Sequence, residues 1–256
     1  MISQPLFVIG APRSGTTFLC QMLNQHADIQ LTNESRIFVL LKDLIEMRSR
    51  RPEFLDAALH ARFAGFMTEA AGELVERFYR EGLGVSAAIW GDKHPPYADP
   101  SVLSARRRFD AGAVQSGSCL RLIRACLPQA KFLHIHRDPI EVARSLARKR
   151  WTQSLDEGIL VWRQYLAEIA EFFTELEEGC RLAVSYHDLI ERPGATSAEI
   201  GRFLGLADWS AFETFLTAQL LDPTPFSDPE TDLLARFRPA APPTVDRLSR
   251  SAVSPD

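Results

Sequence analysis

Leu6-Phe7-Val8-Ile9, followed at once by Gly10-Ala11-Pro12-Arg13-Ser14-Gly15-Thr16-Thr17, is the stretch that decides the fold. Four consecutive apolar residues read as a strand covered on both faces. The turn after it is bounded by glycines, and Phe18, Leu19, Met22 and Leu23 then recur at helical spacing. A strand, a Gly-bounded turn and a helix, in that order, aim backbone N–H groups at a phosphate. Thr16 and Thr17 fall in the first helical turn, where about half a positive charge accumulates. The usual phosphate-binding loop closes on Gly-Lys-Ser/Thr. Here Gly15 is followed by Thr16, and the cation comes earlier, at Arg13. The lysine that reaches a terminal phosphate and the hydroxyl placement that holds Mg²⁺ are not both present, which disfavours ordinary nucleoside triphosphate hydrolysis.

Working outward, strand-like runs occupy residues 6–9, 88–90, 132–136 and 182–186, with helical patterns between them. That alternation predicts an α/β fold: a P-loop-like parallel sheet flanked by helices, with its ligands at one sheet edge. Amphipathic patterns predict helices over residues 33–47 and 55–79, which would form a helical cap on the acceptor side. In the second of these, Phe63, Phe66 and Phe78 are expected to pack into the helix core. Further helices are expected over 119–127, 155–176 and 195–204. Residues 95–117 read as a loop with a short helix. Residues 1–222 are expected to form one domain, and 223–256 a Pro-rich segment that is a loop or partly disordered.

Pro12-Arg13-Ser14-Gly15-Thr16-Thr17 resembles the 5′-phosphosulfate loop of the sulfotransferases that use 3′-phosphoadenosine 5′-phosphosulfate (PAPS). A second segment agrees: Lys131 to His136 reads as a strand, Arg137-Asp138-Pro139 as the turn after it, and Ser145 follows Arg137 by eight residues. This resembles the family's 3′-phosphate site. The stretch from Pro12 to Arg36 is most similar to the tyrosylprotein-type and related bacterial members, which carry arginine in the loop. The resemblance implies sulfuryl transfer from PAPS to a hydroxyl or phenol of a small-molecule, glycan or peptide acceptor. The product nucleotide would be adenosine 3′,5′-bisphosphate, and no metal would be required. A nucleotide kinase or NTPase with a degenerate loop is the alternative enzyme, and a non-catalytic nucleotide-binding module the alternative class.

Residue roles follow from the resemblance. The amides of Ser14, Gly15, Thr16 and Thr17, with Arg13, would hold the phosphosulfate. Arg137, Ser145 and Tyr186 would grip the 3′-phosphate, with Lys149, one turn beyond Ser145, as a third donor. Arg137-Asp138 is equally readable as a turn ion pair. Glu34 aligns with the family's catalytic base, although a Glu after Asn33 is also what a helix N-terminus prefers. Arg36 is placed to orient Glu34 or to contact substrate. Lys93 is expected to neutralise the leaving phosphate. His94 beside it is the rival base, since histidine titrates near neutral pH.

Bulk properties narrow the classes. At 256 residues the chain suits one α/β domain with an added cap, and 46% hydrophobic content supplies a core. A formal charge of −4 argues against broad nucleic-acid binding. The basic clusters at residues 48–51 and 106–108 read as surface or as a rim. Cys20, Cys119, Cys126 and Cys180 lack metal or redox spacing. His134 and His136 share a strand face without a third ligand. No signal peptide or membrane span is read, so a cytoplasmic enzyme that binds no membrane is expected. Oligomeric state is left open.

Overall fold

The computed structural model describes residues 3–46, 56–103 and 117–219. Within them five strands, β1 (Gln4–Ile9), β2 (Ile29–Asn33), β3 (Ile89–Lys93), β4 (Lys131–His136) and β5 (Arg181–Ser185), form one parallel sheet in the order β2-β3-β1-β4-β5. Up to β3 the chain builds on one side of β1, and from β4 onward on the other. A reversal of that kind opens a crevice beyond the C-terminal strand ends. The glycine-rich loop, the residues after β3 and the Arg137 turn all emerge there.

Side-chain alternation with a period of two splits the core between the two sheet faces. Phe7, Ile9, Trp90 and Phe132 face α2 (Ile37–Glu46), α3 (Ala57–Arg77), α4 (Leu120–Cys126) and α6 (Leu155–Thr174). Leu6, Val8, Leu133, Ile135 and Val184 face α1 (Thr16–Leu23), α8 (Pro193–Leu204) and α9 (Ser210–Ala218). Phe7 centres the first half, edge-on to Phe38 at 5.5 Å and stacked on Phe132 at 5.9 Å. α5 (Pro139–Arg148) runs from β4 along the crevice, and the short α7 (Tyr186–Glu191) follows β5 directly.

Several expectations are corrected. β2 is a strand that apolar runs did not reveal, because only Ile29 and Leu31 of its five residues are buried and hydrophobic. It takes Asn33 into the sheet, so the helix expected from residue 33 begins at Ile37 and the helix-N-terminus reading of Glu34 falls. β3 extends through Lys93, and Tyr186 opens a helix rather than closing a strand.

The α3 helix also turns a different face inward. Its buried stripe is Ala71 and Val75, with Ala64 and Met67 packed beside them. Phe66 is 67% exposed, and Phe63 and Phe78 lie at the surface rather than in the core. The reason is close approach. A Cβ on Gly72 would sit 2.0 Å from the Cys126 carbonyl, so α3 meets α4 through its smallest residues. The basic clusters at 48–51 and 106–108 and the Pro-rich segment 223–256 lie outside the described residues. Among the described residues no helix is long and apolar enough to cross a membrane.

Candidate active site

The loop's geometry is what an anion needs. Gly15 caps α1 at φ 98°, and a Cβ there would lie 2.5 Å from the Tyr186 ring. Glycine is therefore required on both conformational and steric grounds. No side chain caps α1 and no acidic residue sits in its first turn, so the amides of Gly15, Thr16 and Thr17 open onto the crevice. The Ser14 amide is committed to the Ala11 carbonyl at 3.1 Å, and the Ser14 side chain is buried. Arg13, exposed and at φ 72°, donates from Nε to Ser145 Oγ at 2.9 Å. One hydrogen bond thus joins the loop to α5 across 132 positions of sequence.

The N-terminus of α5, by contrast, is already filled. Asp138 accepts from the amides of Ile140 and Glu141, at 2.8 and 3.3 Å, so Asp138 caps the helix and Arg137 is released to pair elsewhere. The Arg137 guanidinium lies 4.2 Å over the Tyr186 ring and donates from Nε to Glu141 Oε2 at 2.6 Å. The reading of Arg137-Asp138 as a turn ion pair is replaced by this arrangement. Burial pushes the Tyr186 phenol upward in pKa, so it stays protonated. Ser145 is buried in α5; Lys149 is the exposed C-cap one turn on, its amide bonded to the Ser145 carbonyl at 3.2 Å.

Glu141 escaped the sequence reading. It is buried, with His187 Nε2 3.4 Å from Oε2 and no hydrogen-bond partner for Oε1 among the described residues. The i, i+4 spacing to Arg137 was the available signal. A cavity of about 320 Å³ opens beside it, lined by Arg137, Glu141, Arg144, Ala147, Arg148 and Leu155. Three guanidiniums around one hollow suit a multiply charged anion.

At the far end of β2 and β3 a second centre assembles. Lys93 Nζ donates to Glu34 Oε1 at 2.9 Å. The ammonium is 1% exposed, whereas the carboxylate is 39% exposed. Glu34 adopts φ 67° and Arg36 φ 63°, a left-handed conformation that costs a non-glycine residue about 1–2 kcal/mol. His94 is 1% exposed, its ring edge-on to Tyr97 at 4.7 Å. Arg36 is exposed at the start of α2.

Other candidates resolve as packing. Burial pushes the His134 imidazole down to about 3, with His136 adding to the effect, so His134 is a neutral wall residue edge-on to Phe173. All four cysteines are free thiols. Burial raises Cys20 and Cys126 to about 11 and Cys119 to about 12, which leaves them unreactive near neutrality.

A Drosophila melanogaster protein-tyrosine sulfotransferase is 24% identical over 206 residues, covering 78% of this chain. This chain spans 37% of that relative's length. The sulfotransferase domain of the Synechococcus PCC 7002 olefin synthase shares the fold at a TM-score of 0.59 and 20% identity, covering 100% of this chain and 90% of that one. A sulfotransferase from Alicyclobacillus acidocaldarius does so at 0.54 and 16%, covering 93% and 92%. The sulfotransferase family pattern matches residues 5–211, from the first strand through the loop, the Lys93 centre and the Arg137 turn into α9. The chain belongs to the sulfotransferase family.

Proposed function

We propose that this chain transfers a sulfuryl group from PAPS to the hydroxyl of a small-molecule, glycan or peptide acceptor. The observation that carries the reading is the Lys93–Glu34 pair, a buried cation held against a carboxylate that stays open to an acceptor. Donor fit rests on the uncapped α1 terminus, on Gly15 where any Cβ would strike Tyr186, and on the cationic hollow beside Arg137. Gly15, Thr16 and Thr17 amides with Arg13 would hold the phosphosulfate end. Arg137, Ser145 and Lys149 would hold the 3′-phosphate, with Tyr186 as the surface on which Arg137 rests. The bound donor supplies an activated sulfuryl group and a phosphate leaving group.

Glu34 would take the proton from the acceptor hydroxyl, and a positioned base of this kind contributes about 10²–10⁴ in rate. Lys93, kept dry against Glu34, would stabilise negative charge as it develops on the departing phosphate. Arg36, two residues from Glu34, would meet the acceptor. Burial of His94 supports Glu34 over it as the base. A tyrosine-bearing peptide is the acceptor to try first, because the Drosophila relative is named for that substrate.

The test is transfer of radiolabelled sulfate from PAPS to peptides, phenols and sugars, alongside calorimetry with adenosine 3′,5′-bisphosphate. Glu34→Gln is expected to lose at least about tenfold in kcat while keeping nucleotide affinity. Unchanged turnover would transfer the proton step to His94, and absence of any nucleotide heat would overturn the sulfotransferase reading.

A further inference from the structure

Asp92 carries no role in the chemistry above, yet it is a heavily bonded carboxylate beside the candidate site. It is 0% exposed, inside the sheet on β3. Burying a carboxylate is expensive unless its oxygens are saturated with donors, and Asp92 has them. Oδ1 accepts from Thr32 Oγ1 at 2.7 Å, and Oδ2 accepts from Ser35 Oγ at 2.7 Å and from Tyr97 OH at 2.8 Å. The Ser35 amide lies 3.2 Å from both oxygens. Tyr79 OH completes the cluster, 2.9 Å from Thr32 Oγ1 and 3.3 Å from Ser35 Oγ.

The donors are not scattered. Thr32 and Ser35 bracket Glu34, and Thr32 is the direct cross-strand partner of Asp92. Between those two anchors Glu34 holds its left-handed backbone, with its own amide donating to the Lys93 carbonyl at 2.8 Å. A strained residue persists only where its surroundings over-determine it. Asp92 and Lys93 are consecutive on β3: the backbone and side chain of Lys93 grip Glu34 itself, while Asp92 grips its two flanks.

We propose that Asp92 is a positioning residue: by binding Thr32 and Ser35 it holds Glu34 in the left-handed turn that brings its carboxylate to Lys93. The inference rests on the reading of Glu34 as the base. It differs from a packing role because its effect on turnover passes through one residue.

Asp92→Asn keeps the shape and removes acceptor capacity. The variant is expected to lose at least tenfold in kcat, with the donor KM and the affinity for adenosine 3′,5′-bisphosphate changed less than twofold. In a Glu34→Gln background the same substitution is expected to change kcat less than twofold, because its route is already cut. Equal losses in both backgrounds, or a parallel loss of nucleotide affinity, would overturn the proposal. Should Asp92→Asn fail to fold, Thr32→Val and Tyr97→Phe each delete one donor and are read by the same two-background comparison.

Amide exchange supplies a readout that needs no turnover. The Ser35 amide is expected to exchange at least tenfold faster in Asp92→Asn while the β1 amides keep their protection. Unchanged Ser35 exchange would overturn the proposal. If the unsubstituted chain binds no nucleotide and transfers nothing, the sulfotransferase reading fails separately, and the exchange measurement decides whether Asp92 holds the turn.

Discussion

Arg137 is engaged on two sides before any ligand arrives, with the Tyr186 ring beneath it and the Glu141 carboxylate at its Nε. A guanidinium held this way has lost much of its rotamer freedom, so less is given up when it meets a phosphate. Charge-assisted hydrogen bonds contribute about 1.5–3 kcal/mol. Arg137→Ala is therefore expected to weaken adenosine 3′,5′-bisphosphate by about 10- to 150-fold in calorimetry. The same variant should melt earlier, because Glu141 loses its cation while remaining buried. Most single residues of the candidate site stand out in the sequence, since loop and turn chemistry is local: Arg13, Gly15, Lys93 and Arg137 are all marked by their neighbours. Glu141 and Asp92 do not, because a buried carboxylate gains meaning only from donors brought by other elements. Asp92 takes its donors from residues 32, 35 and 97.

Elements are legible in the sequence where periodicity alone decides and not where tertiary contacts decide. The strand β1 carries a continuous apolar run, and β4 keeps Phe132, Leu133 and Ile135 alongside two histidines, enough to mark both in the sequence. β2 alternates buried and exposed over five residues, too short a pattern to separate from a loop. The periodicity of α3 predicts a helix, but the face it buries differs from the one its aromatic residues suggest. Its larger apolar residues mark one stripe, yet contact with α4 selected the stripe through Ala64, Met67, Ala71 and Val75. The cap of α5 is a sharper case: Pro139 marks the helix start in the sequence, but Asp138 reads there as a partner for Arg137 and only the structure makes it the cap. Asp138→Ala removes acceptance from two amides and is expected to cost about 0.5–2 kcal/mol in denaturant unfolding. A change below that range would mean water replaces the carboxylate without loss.

At the scale of the molecule, two sheet faces divide the core and the crevice collects the polar chemistry, so acid acts on the fold through buried histidine. His134 ionises at about 3 in the fold against 6.5 ordinarily, through burial first and then His136, and burial lowers His136 too. Below about pH 6.5 the unfolded chain binds protons that the fold excludes. The contribution of His134 is therefore fully present above that value and is lost as the pH falls towards 3, by up to about 1.4 kcal/mol per pH unit. His134→Asn is expected to flatten the dependence of unfolding free energy on pH across that window. An unchanged slope would mean the imidazole is hydrated in the native state.

Tyr186 has one more consequence. Its ring fills the space a Cβ on Gly15 would need and also lies beneath the Arg137 guanidinium, so one aromatic plate touches both the loop and the turn after β4. Removing that plate would therefore loosen the Gly15 turn and the Arg137 guanidinium together, two features far apart in sequence.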